Sequence, residues 1–392
     1  MQMATNLSSM HGQTFVRGRR VHHTDFGDGS HDEGGDNRAF DDLAGALGPR
    51  YVNRSCAACH ERNGRAMPPS VGEELDQYVV RVGDATGAPV PELGAVLRSR
   101  VTDGEPESAA RLSGWTAVGD LRAPAYAFTG EAPAHYSVRI APQLVGMGLL
   151  EAIPEADVQA LADPDDANGD GISGRMRIVE DVETGERRLG RFGWKAAEPR
   201  VAHQVAAALD MDMGVRTSLR PGDDVGPDVD DVELDDAHLR DLTAYVSLLG
   251  VSARRGLASV DALRGEALFA EIGCAACHTP TFRTSSFHPH AELRDQTTHP
   301  YTDLLLHDMG PRLASTLIEG GASAAEWRTA PLWNIGLTAR VSGAEAYLHD
   351  GRARSLEEAI LWRGGAGAAA RAAYLALPDD RRGELIAFLR SL

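Results

Sequence analysis

The chain has 392 residues, 43% of them hydrophobic, which is enough for a buried core and too apolar for a disordered tail. Its formal charge of -18 argues against nucleic acid, because a phosphate backbone would repel it, and favours a basic docking partner. No run approaches the roughly 18 apolar residues of a spanning helix, so no membrane span is expected.

The opening stretch, "MQMATNLSSMHGQTFVRG", lacks the apolar core of a secretory signal. Residues 19–40 are rich in Gly, Asp and His and read as a loop, with His22, His23 and His31 as exposed polar residues or as imidazoles on offer to a metal. Segments 72–83, 154–163 and 198–209 space their apolar residues as helices do. "DPDDANGDGISGR" (163–175) sets Asp166, Asn168, Asp170 and Gly171 at the spacing that opens a calcium loop. The twelfth position, where a bidentate Glu would close such a site, is Arg177, so the stretch reads equally as an Asp/Gly turn. An acidic, breaker-rich segment (217–236) precedes a helix near 237–249. A linker, "VSARRGLASV" (251–260), then leads into an amphipathic helix over 261–273, and the chain closes on a second one, "RRGELIAFLRSL".

All four cysteines fall in two copies of C-x-x-C-H: Cys56, Cys59 and His60, then Cys274, Cys277 and His278. A structural zinc site would use C-x-x-C pairs close together, and these lie in opposite halves of the chain. A thioredoxin-like centre needs one C-x-x-C in a βαβ setting and has no use for the trailing histidine. Haem attachment uses all five positions, with two thiols for the vinyl groups and an imidazole for the iron. Two covalently bound haem c groups are therefore expected, with His60 and His278 as proximal iron ligands. Haem c is assembled outside the bacterial cytoplasm, so the expected compartment is the periplasm, the export signal lying outside the given sequence.

Five longer motifs carry a family resemblance. They are "GLLEAIPEADVQALADPDDANGDGISGR" (148–175), "GRFGWKA" (190–196), "PYTDLLLHDMG" (300–310), "WRTAPLWNIGLT" (327–338) and "YLHDGRARSLEEAILW" (347–362). With them the chain resembles, from about residue 15 to 392, the di-haem oxidoreductase family of peroxidase type. That family is similar to the bacterial di-haem cytochrome c peroxidases and to the enzyme that matures methylamine dehydrogenase. The resemblance implies a mainly α protein of two cytochrome c-like domains with long loops: an N-terminal haem domain with insertions over 1–250 and a C-terminal one over 251–392. One haem would react with peroxide while the other relays electrons from a small cytochrome or cupredoxin.

The resemblance also assigns residues. "LHDGRARSLEEAI" (348–360) lies without gaps over "GWKAAEPRVAHQV" (193–205), and on that register Trp194 matches the family's inter-haem tryptophan. Gln204, ten residues on, and Asp212, before Met213 and Gly214, match its peroxide-handling Gln and Glu, the acid being one methylene shorter here. Lys195 (the only lysine) and Arg352 are expected to pair with haem propionates, and His349 to lie near the second haem's edge. Fourteen residues after His349 the family places a distal ligand. Here that position is Arg363, which offers no lone pair. The ligand is then Met309 or His307, or the iron is five-coordinate. The reading is a peroxidase-like oxidoreductase. Its alternatives are a di-haem electron carrier without substrate chemistry and an oxidase that modifies a partner protein.

Overall fold

The computed structural model describes residues 3–34, 37–91, 93–106, 108–130, 132–222 and 232–392. Much of the acidic segment 217–236 thus lies outside the described residues. Helix accounts for 31% of the chain and strand for 18%, which corrects the mainly α expectation to a mixed α/β fold.

Two helix pairs organise it. α1 (Ser9–His22) crosses α3 (Asp236–Ser247), and α4 (Val260–Glu271) crosses α6 (Asp379–Ser391). Each crossing is built on a glycine. A Cβ on Gly18 would lie 1.9 Å from the Asp241 carbonyl oxygen, and one on Gly265 would lie 1.9 Å from that of Glu384. Only a residue without a side chain lets the backbones come so close. Aromatic rings lock both: Phe15 meets Tyr245 at 4.8 Å between ring centres, and Phe269 meets Phe388 at 5.3 Å. Side-chain caps start three of the four helices, with Ser8 accepting from His11 N–H, Asp235 from His238 N–H and Ser259 from Ala262 N–H.

The sequence patterns placed α3, α4 and α6 well, as they did α2 (Val201–Met213) and the short helix Glu155–Gln159. They did not place α1, whose last turn extends into the stretch taken as loop. Residues 72–83 are not helical: Tyr78–Gly83 form β1, paired antiparallel with β4 (His135–Ile140), Tyr78 facing Ile140. Tyr78, Val80 and Val82 alternate inward, a period of two that won over the i, i+4 spacing of Val71, Leu75 and Val79. Between β1 and β4 runs a hairpin, β2 (Ala110–Val118) and β3 (Leu121–Phe128), turning at Gly119, where φ is +61°. A third pair, β5 (Leu306–Asp308) with β6 (Glu326–Arg328), sets His307 opposite Trp327.

The core clusters cross residue 250. One runs from Phe15 to Trp333 around α1, α2 and α3, one from Leu121 to Leu392 around α4 and α6, and one from Ala66 to Ala346 around β1 and β4. Among the described residues no helix is long and apolar enough to cross a membrane.

Candidate haem centres

Each C-x-x-C-H motif folds into a single tight turn. Cys56–Cys59 form one helical turn capped by Ser55, whose hydroxyl accepts from Ala58 N–H; Cys274–Ala276 form a 3-10 turn directly after α4. In both, the histidine amide donates back to the first cysteine's carbonyl, His60 to Cys56 and His278 to Cys274.

The two imidazoles are held alike. His60 Nδ1 lies 2.7 Å from the Pro142 carbonyl oxygen, and His278 Nδ1 lies 2.8 Å from that of Tyr301. A carbonyl only accepts, so Nδ1 carries the proton and Nε2 keeps the lone pair. Burial pushes both rings down to about 4, so they stay neutral, yet each keeps accessible surface. A neutral ring with Nδ1 tied to a carbonyl is what an iron ligand requires. Burial also pushes the thiols up, Cys56 and Cys59 to about 12 and Cys274 to about 11. Such thiols make poor attacking thiolates, which speaks against a disulfide-exchange role. These residues fit haem.

α2 runs past the first centre. Gln204, Ala208, Met211 and Asp212 keep accessible surface along one i, i+4, i+7, i+8 stripe, while Val205, Ala206, Leu209 and Asp210 are buried. Arg98 satisfies the helix end by donating to the Asp210 and Met211 carbonyls, and Val52 N–H donates to that of Asp212 at 2.7 Å. This ties Asp212 to the backbone leading into Cys56, and its charge acts on Cys56 and Cys59. Burial pushes the Asp212 carboxyl up to about 7, against the pull of Arg81 and Arg98. Gln204 sits eight residues, or about 12 Å of helix rise, from Asp212. Its Oε1 lies instead 3.4 Å from where a Cβ on Gly193 would stand, beside Trp194. The two predicted peroxide-handling residues thus share a helix face without converging on one point.

Trp194 packs against two clusters, one with Cys59 at its edge and the other with Cys274 and Ala275. Its indole N–H donates to the Ile140 carbonyl at 3.0 Å, and the Arg65 guanidinium sits 5.5 Å from its ring centre. Arg65, five residues after His60, also donates to the Leu348 carbonyl at 2.7 Å. The repeat proposed from the sequence is real in the backbone. Gly193 and Leu348, aligned, both have positive φ, +74° and +70°, and α2 and α5 (Leu356–Leu361) start at the aligned residues Val201 and Leu356.

Three expectations change. Lys195 is wholly buried, its ammonium donating to the carbonyls of Ser323, Ala324 and Glu326 and lying 3.9 Å from the Trp327 ring centre. All three protons are used, so it is a structural cation and not a propionate partner. Arg352 is likewise committed, to the Asp350 carboxylate and the Arg312 carbonyl, over the face of Trp362. His307 is no iron ligand. Burial opposes its charge, but the Asp303 carboxylate, 2.7 Å from Nε2, raises its pKa and engages that nitrogen.

His349 stacks on Trp327 at 3.7 Å, and its backbone carbonyl accepts from Ile140, which also holds Trp194. Met309 is buried in the C-terminal cluster, and a Cβ on Gly367 would lie 3.0 Å from its Cε and 3.1 Å from Arg363 Cβ. Met309 and Arg363 are therefore neighbours. His22 and His23 are buried, and burial pushes His22 well below the ordinary imidazole range. His31 stacks on His23. In the 163–175 loop, Asp166 and Asn168 oxygens accept from Gly171 and Asp170 N–H, and Arg177 turns inward to the Lys195 carbonyl. These are the bonds of an Asx-rich turn, and the twelfth position is held by Arg177.

Sequence reasoning missed Arg65 and Glu319. The latter is buried among Arg81, Arg139 and Arg177, which hold it well below the usual carboxylate range despite burial. Isolated charges in a sequence do not say which will meet.

The family model described as "Di-haem oxidoreductase, putative peroxidase" matches residues 131–392. The chain belongs to this family. It is accordingly a di-haem oxidoreductase, with haem as its cofactor. No curated protein matches it. Among solved structures it is similar to a hydrazine synthase of Kuenenia stuttgartiensis pressurised with xenon, at 13% identity and a TM-score of 0.44, over 100% of this chain and 90% of that one. It is also similar to a MauG-like protein associated with microbial copper homeostasis, at 18% identity and a TM-score of 0.32, over 62% and 86%.

Proposed function

We propose that the chain is a periplasmic di-haem c peroxidase-type oxidoreductase, with one haem tethered at Cys56 and Cys59 and the other at Cys274 and Cys277. The observation that carries this is Trp194, which touches the hydrophobic surroundings of both motifs at once. Haem supplies the redox-active iron. The chain supplies the rest. His60 and His278 present Nε2 lone pairs, their rings held by the Pro142 and Tyr301 carbonyls.

Asp212, poised near neutrality beside the first motif, would take a proton from one oxygen of peroxide and return it to the other. Gln204 steadies the tryptophan side of that face. Trp194 relays electrons from the C-terminal centre, delivered by a small basic redox protein that the acidic chain attracts. Each half brings its own glycine-crossed helix pair to one cytochrome c-like unit, the two meeting near residue 250 and sharing hydrophobic clusters across it.

One reading favours this over a simple carrier: a carboxyl raised to near neutrality by burial, beside the first motif. The test is stopped-flow oxidation of the fully reduced protein by hydrogen peroxide, in wild type and Trp194→Phe. Two electrons should leave per peroxide, the second haem's oxidation slowing in the variant. Haems that ignore peroxide would leave the electron-carrier reading standing.

A further inference from the structure

Outside both haem centres, two histidines and a glutamate come together. His11 lies in the first turn of α1; His290 precedes the 3-10 turn Ala291–Leu293, and Glu292 lies within it. One donor atom from each lies within 4.8 Å of the other two. His11 Nδ1 is 2.8 Å from Glu292 Oε1 and 3.0 Å from Oε2, and the His11 and His290 rings meet nearly at right angles, 5.1 Å between centres.

The carboxylate is held in place from other sides. The Glu292 side chain is only 3% exposed, Ser8 N–H donates to its Oε1 at 3.0 Å, and Asn6 donates to its backbone carbonyl at 2.7 Å. The neighbouring His288 is spent elsewhere, its Nε2 donating to Glu151 and its Nδ1 accepting from His290 N–H. Two other groups of this kind differ. Cys277, Asp303 and His307 include a haem-attaching thiol, and in Asp181, Glu183 and His203 the Arg200 guanidinium already sits 2.6 Å from Asp181 and 3.7 Å from Glu183.

We propose that His11, His290 and Glu292 bind one divalent late transition-metal cation of the Zn²⁺ type, clamping the start of α1 to the segment after the second C-x-x-C-H motif. The site is independent of the peroxidase reading. Two imidazoles and a carboxylate suit such a cation, whereas Ca²⁺ and Mg²⁺ take oxygen donors. Both histidines are half-buried, so water can supply the fourth position. A carboxylate only accepts, so Nδ1 of His11 carries a proton towards Glu292; the cation takes that proton's place, and the ring holds one on Nε2 instead.

The test is a calorimetric Zn²⁺ titration of the haem-loaded protein, whose four cysteines are then thioethers and do not compete. Wild type should take up one equivalent, undisturbed by excess Ca²⁺, and its thermal midpoint should rise. His290→Ala should weaken uptake by about 100-fold or more, beyond the 10- to 100-fold usual for a lost outer partner. Glu292→Gln, nearly the same shape, should give the same loss should the alanine variant fold poorly. His288→Gln should bind as wild type does.

A wild type without stoichiometric uptake would overturn the proposal, as would uptake indifferent to both ligand variants. An equal loss in His288→Gln would also overturn it, by placing the cation on a different set of side chains. All three results leave the peroxidase reading intact.

Discussion

The two C-x-x-C-H centres are alike around the histidine and unlike in the helix that accompanies each half. Both histidines give Nδ1 to a carbonyl, and both donate their own amide to the first cysteine's carbonyl. In the N-terminal half that helix is α2, with Gln204, Ala208 and an acid raised to about 7. In the C-terminal half the aligned helix stops at Leu361, with Arg363 just beyond it beside a packed Met309. The C-x-x-C-H turn is duplicated, and the side chains of the aligned helices are not. The lesson is that the motif fixes the cofactor, while a few side chains on one helix face divide the labour.

The sharpest way to break this comparison is at Asp212. Asp212→Ala should lower peroxide turnover by about 10²- to 10⁴-fold, the usual contribution of a positioned acid or base, with both haems still attached. Unchanged single-turnover kinetics would mean that the two halves do not differ in this way. Next come the crossings. Gly18→Ala and Gly265→Ala should each cost about 1–3 kcal/mol or more in denaturant unfolding, since both new methyls meet backbone at 1.9 Å. Spectral change should follow the helix pair, the first variant disturbing the N-terminal haem and the second the other. If one glycine is tolerated, the halves are not equivalent supports.

A smaller effect is pH. As a base Asp212 must be ionised, so peroxide turnover should rise through about pH 7 and flatten in Asp212→Asn. Its folded pKa is raised, so the stability it contributes is present at low pH and lost as pH rises through about 7. The Asn variant should therefore also lose that decline in thermal midpoint. A decline that survives would assign it to another group.

Much of this was legible beforehand. The cysteine spacing named the cofactor because no other chemistry uses all five positions, and the repeat of 193–205 in 348–360 held down to the sign of φ. α1 stayed hidden because its buried face is Phe15, Gly18, Val21 and His22, two of which are not apolar signals. β1 was mistaken because Val and Leu at mixed spacing satisfy both periods over so short a run. Lys195 was misassigned for a different reason. A sequence shows a cation without its acceptors, and here those are three backbone carbonyls from residues 323–326.

The account stands on iron being held at both motifs. Intact mass and the reduced absorbance spectrum of protein exported with its haem-attachment machinery test it directly, alongside Cys274→Ser/Cys277→Ser. Wild type should carry two haems by mass, and the double variant one, still at Cys56 and Cys59. A wild-type chain without added mass, or without a Soret band, would contradict the account.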